Sequence, residues 1–156
     1  MSTSLHALLS HAENLRDETL AQLAQAEAQQ RQLDEQAAQL DGYRNDYRAR
    51  HPATGGRSSS IELLRVHQGF MTRLDQALAQ LQGQQQKAAA RIETLRSQLL
   101  AQEVRVASVR KLIERRAQEA ELAASRREQR RTDDATAQRH RAARVRNAAD
   151  LASLLH

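Results

Sequence analysis

Stepping alternately by four and three residues from His67 lands on Met71, Leu74, Leu78, Leu81, Gln85, Ala88, Ile92, Leu95, Leu99, Gln102, Val106, Val109, Ile113, Arg116, Ala120 and Ala123. A heptad seam sustained this long predicts one long helix with a narrow apolar stripe that another helix must cover. The first fifty residues carry a weaker version at Leu23, Ala26, Gln30, Leu33, Ala37, Leu40, Arg44 and Tyr47, with Leu5, Leu8, Leu9, Leu15 and Leu20 upstream. Between the two lies "HPATGGRSSS", His51 to Ser60, with the sole proline and two adjacent glycines. Pro52 biases His51 away from helical dihedrals, and Gly55 and Gly56 weaken the helical preference further. Ser58, Ser59 and Ser60 offer N-cap oxygens, and Glu62 suits the positive end of a new helix dipole.

These signals divide the chain into helix 1 over 4–50, a Pro/Gly/Ser loop over 51–60, helix 2 over 61–123, and an Arg-rich extension over 124–156 that is helical or frayed. A loop of about ten residues makes the antiparallel neighbour the nearest cover for each stripe. The expected fold is all-α, a long antiparallel two-helix coiled-coil hairpin. Helix 1 has at most about 47 residues and helix 2 about 90, so helix 2 extends beyond helix 1 and residues after Val109 lack an intramolecular partner.

Composition narrows the picture. In 156 residues with 28% charged side chains and a mean hydropathy of -0.75, the apolar share of 40% is mostly Ala and Leu. That alphabet suits long helices, and it supplies little for a globular interior. There is no cysteine, hence no disulfide framework or thiolate metal site, which fits a reducing compartment. The start "MSTSLHALLSHAENLRDE" lacks a basic leader followed by an apolar run, and no stretch approaches the roughly 18 apolar residues that span a bilayer. A soluble, cytoplasmic chain without membrane insertion is expected.

The formal charge of +5 comes largely from arginine, and "SRREQRRTDDATAQRHRAARVR" alone holds Arg126, Arg127, Arg130 and Arg131 among its cations. Nucleic acid is disfavoured, because a basic arm usually precedes its coiled coil and no aromatic platform for stacking bases lies beside these arginines. Two readings stay open. One is a solvated face with Glu128, Asp133 and Asp134 in local ion pairs, and the other is a surface for an acidic protein partner.

Catalytic chemistry finds little support. His6, His11, His51, His67, His140 and His156 show no metal-binding spacing, and "GGRSSS" lacks the Lys-Ser or Lys-Thr of a phosphate loop. A narrow two-helix fold has nowhere to exclude water around a reacting group. The chain is read as a non-enzyme with no cofactor and no metal.

The three aromatics, Tyr43, Tyr47 and Phe70, all fall near the loop end of the hairpin. Phe70 lies one position off the seam and forms a stripe with Leu74, Ala77 and Leu81, so it should be partly exposed. The tyrosines either fill space where the helices diverge or form an aromatic hot spot for a partner. Their concentration at one end favours the second, in which they do not hold the hairpin together.

The order and spacing of several segments resemble the FliJ family of the flagellar type III export apparatus. They are the leucine-rich first helix, "LDGYRNDY" at the end of helix 1, a short Gly-containing loop, "HQGFMTRLDQALAQ" entering helix 2, and "VRKLIERR" and "SRREQRRTDDATAQR" downstream. Gly69, where the family commonly has a polar residue, and Asp133-Asp134 followed by "ATAQR" are departures. The resemblance implies a hairpin similar to the coiled-coil part of the central stalk of rotary ATP synthases. It further implies a non-enzymatic stalk that links the export ATPase ring and its regulator to the cytoplasmic domain of the export gate and escorts export chaperones. Such a protein is cytoplasmic, associates peripherally with the inner membrane through the apparatus, and serves motility and chemotaxis. The gate-facing surface it implies is Gln36, Leu40, Tyr43 and Tyr47 on helix 1 with Phe70, Leu74, Ala77 and Leu81 on helix 2. A stalk protein of a virulence type III secretion system and a generic dimeric coiled-coil scaffold are the alternatives.

Overall fold

The computed structural model describes residues 2–50 and 61–155, so the expected loop over 51–60 lies outside the described residues. Two helices account for nearly everything described: α1, Ser2–Arg50, of 49 residues, and α2, Ile61–Leu154, of 94 residues. Their sequences are rich in Ala, Leu, Arg, Gln and Glu, the residues that lose least on entering a helix. Arg48 and Arg50 in the last turn of α1 and Glu62 in the first turn of α2 complement the helix dipoles. The described part of α1 ends at Arg50, two residues before Pro52.

Two compact units divide the chain: Leu9–Val106, and Met1–Leu8 together with Ala107–His156. Within the first, contacts between the helices fix their direction. Tyr47 meets His67 and Phe70, Arg44 meets Asp75, Asp34 meets Gln85, and Glu27 meets Arg96. Positions rise on α2 as they fall on α1, so the pair is antiparallel and forms a two-helix hairpin. Ala26, Ile92 and Leu95 make its buried cluster, with Leu23 packed against them.

The α2 seam is realised residue by residue. Leu74, Leu78, Ile92, Leu95 and Val106 are buried, and His67, Met71, Leu81, Gln85, Ala88, Leu99 and Gln102 are half-buried. On α1 the seam from Leu23 to Tyr47 is likewise buried or half-buried throughout. Upstream the structure departs from the sequence reading. The buried residues there are Ala12, at 2% exposure, and Thr19, at 5%, while Leu20 is exposed. Ala12, Arg16, Thr19 and Leu23 continue the alternation of four and three, so the phase of the frame, and not side-chain size, decides which residue turns inward. Thr19 is tolerated because its hydroxyl donates to the Leu15 carbonyl at 3.1 Å.

In the second unit Leu5 and Ile113 are half-buried, Val109 is buried, and Leu8 is exposed. The covered seam therefore reaches Ile113, slightly past the expected limit at Val109. From Glu114 to Leu155 every residue except Ala123 is exposed, although the helix continues to Leu154.

Candidate partner-binding surfaces

At the loop end of the Leu9–Val106 unit the three aromatics adopt different roles. Tyr47, on the α1 seam, stacks on His67 with ring centroids 4.8 Å apart and planes 14° from parallel, and it meets Phe70 at 4.6 Å in a tilted arrangement. It bridges the helices, contrary to the expectation that the aromatics do not hold the hairpin together. The reason is positional: Tyr47 follows Leu40 and Arg44 in the inward-facing frame. Tyr43 falls outside that frame and is 62% exposed, and Phe70, one place before the seam residue Met71, is 42% exposed.

Tyr43, Asp46, Tyr47, Arg50, Phe70 and Leu74 line a shallow groove of ≈ 280 Å³. Leu74 is 8% exposed and forms the floor. Of the other residues on the expected gate-facing surface, Gln36 is exposed and Leu40, Ala77 and Leu81 are half-buried. The structure thus brings the aromatic part of that surface together. The heptad frame already separated its outward members, Gln36, Tyr43 and Phe70, from Leu40, Tyr47, Leu74 and Leu81 on the seam.

In the other unit, the heptad frame of α2 continues past Ala123 onto Arg127, Arg130, Asp134, Ala137, Arg141 and Arg144. Positions that are apolar upstream thus become arginine, and Arg126 and Arg131 flank the same face. Among the described residues none of Arg126, Arg127, Arg130 and Arg131 has a carboxylate within ion-pair distance, and Glu128, Asp133 and Asp134 are equally without a cation. Among the described residues the local ion pairs of the solvated-face reading do not form, as exposed pairs gain little over hydration. Thr132 and Thr136 bond instead to the main-chain carbonyls of Glu128 and Thr132, at 3.0 and 2.9 Å.

Among the described residues no group of three His, Cys, Asp or Glu side chains gathers as a metal site would require, and no helix is long and apolar enough to cross a membrane. The described residues thus define the class as an all-helical, antiparallel two-helix hairpin. The chain belongs to the FliJ family, described as the flagellar FliJ protein, which it matches over residues 1–144. It is thereby a component of flagellar protein export. Nothing among curated proteins or solved structures matches it.

Proposed function

We propose that this hairpin is the stalk that links the export ATPase ring to the cytoplasmic domain of the export gate and escorts export chaperones to it. It does so without catalysing a reaction, in the cytoplasm, held at the inner membrane only through the apparatus. The gate binds at the aromatic groove. Gln36, Tyr43 and Phe70 supply the outward contact, and Leu40, Tyr47, Leu74, Ala77 and Leu81 support it from the seam and its edge. Arg126, Arg127, Arg130 and Arg131 face an acidic protein partner, for which the ATPase and its regulator are the candidates.

The observation that carries this reading is the exposure of Tyr43 beside Phe70 over a shallow groove in a chain with only three aromatic residues. Aromatic rings give much contact area for little lost rotamer entropy, so they concentrate where binding energy is needed. Capture of the gate's cytoplasmic domain by the full chain tests it. Changing Tyr43 to Ala should weaken binding about thirtyfold while the helical content stays the same. Unchanged affinity would place the gate elsewhere.

A further inference from the structure

Heptad spacing keeps residues seven apart on one flank of a coiled coil, and the two flanks of the Leu9–Val106 unit differ in chemistry. One flank ties the helices together. Gln85 Nε2 donates to Asp34 Oδ1 at 2.7 Å, Arg44 lies 3.4 Å from Asp75, and Arg96 lies 3.6 Å from Glu27. The other carries Gln29, Gln36 and Tyr43 at intervals of seven on α1, with Phe70, Ala77, Gln84 and Arg91 at intervals of seven on α2. Among the described residues, the side chains of Gln29, Gln36, Gln84, Lys87 and Arg91 make neither a hydrogen bond nor an ion pair. A second groove of ≈ 370 Å³ opens on this flank. Gln29, Leu33, Gln84, Lys87, Ala88 and Arg91 line it, and no carboxylate does.

We propose that the docking strip begun at Tyr43 and Phe70 continues along this flank to Lys87 and Arg91. It receives a single segment of the partner protein that carries an apolar side chain at the aromatic end and carboxylates at the basic end. The proposal rests on the reading of the aromatic groove as the gate's site and adds the chemistry of what binds there. Two cations in the lining of a groove that holds no carboxylate select negative charge, and the intervening glutamine amides can donate to and accept from a main chain. Gln29 and Tyr43 stand fourteen positions apart, roughly 21 Å along a helix. An extended segment covers that distance in about six residues at roughly 3.4 Å each, and a helical one in about fourteen. The partner's carboxylates should lie at one of those two spacings from its apolar anchor.

The test titrates the cytoplasmic domain of the export gate against the full chain at several salt concentrations. The variants are Lys87→Glu with Arg91→Glu, Tyr43→Ala, and Asp41→Lys on the opposite flank as a control. All four positions are exposed, so circular dichroism should match the wild type. The charge reversal should weaken binding at least about tenfold at low salt and flatten its salt dependence, and the control should do neither. If Tyr43→Ala weakens binding and the charge reversal does not, the extension is wrong and the aromatic site stands. If the reversal acts and Tyr43→Ala does not, the aromatic site is wrong and the joint strip falls with it, leaving only its basic end. Loss of duplex DNA binding on charge reversal, with gate binding intact, would assign the cations to nucleic acid and overturn the proposal.

Discussion

Sequence spacing treats Tyr43 and Tyr47 as a pair, yet their truncation should have opposite consequences. Tyr47→Ala removes two ring contacts between the helices, to His67 at 4.8 Å and Phe70 at 4.6 Å. Each is worth about 0.5–1.5 kcal/mol beyond the area it buries, and the half-buried ring adds its own burial, so the loss should be about 2–3 kcal/mol. For a chain of this length that corresponds to a drop of roughly 5–10 °C in the melting midpoint. Tyr43→Ala, at a ring 62% exposed, should change stability by no more than about 0.5 kcal/mol. Thermal melts followed by circular dichroism separate the two, and hydrogen exchange over 40–50 and 64–74 should show where protection is lost in the Tyr47 variant. If the two variants melt together, the bridging role assigned to Tyr47 is wrong.

Gly42 and Gly83 lie inside helices, and a Cβ added at either would meet nothing within 4 Å. Ala at each should therefore stabilise the hairpin by about 0.8–1 kcal/mol, visible as a higher urea midpoint with an unchanged slope, and a lower midpoint would show that the helix needs the glycine there. The segment from Ala124 to Leu154 is helical but has no covered seam, so its amides should exchange faster than those around Leu95. Equal protection in the two regions would mean that something covers the overhang.

The hairpin was legible because one property, a step of four and three, encodes both the helices and the face they share. The α2 frame from His67 to Ile113 needed no structural information. What misled was the upstream part of α1, where Leu8 and Leu20 draw attention although the frame runs through Ala12 and Thr19. Large apolar residues mark a seam only where they fall in phase, and a threonine whose hydroxyl is satisfied by its own helix gives no sign of being buried. The difference between the flanks was illegible for another reason. It depends on which α1 residue stands beside which α2 residue, and that register is set by tertiary contacts such as Arg44–Asp75 and Glu27–Arg96. The division of labour between Tyr43 and Tyr47, by contrast, follows from the frame of α1 itself, in which Tyr47 lies and Tyr43 does not.

The heptad frame of α2 has two uses, and the second explains why its uncovered part need not recruit another copy of the chain. Up to Ile113 its positions hold mostly leucine, isoleucine, valine and alanine, and helix α1 covers them. At Arg127, Arg130, Arg141 and Arg144 the same positions hold arginine. Two copies meeting through this frame would bring guanidinium groups into the layers of a coiled coil, where desolvating unpaired charge costs several kcal/mol per group. The frame is thus suited to a groove that supplies carboxylates and unsuited to its own likeness. Replacing these four arginines with leucine should turn the overhang into a self-complementary seam. The wild-type chain should sediment near its own 17.5 kDa at all accessible concentrations, and the fourfold variant should shift with concentration toward about twice that mass. Should the variant remain monomeric, the frame beyond Ala123 has no bearing on association. Should the wild type itself dimerise and lose the dimer on truncation after Ser125, the arginines do not exclude self-pairing and the argument for an acidic partner loses its basis.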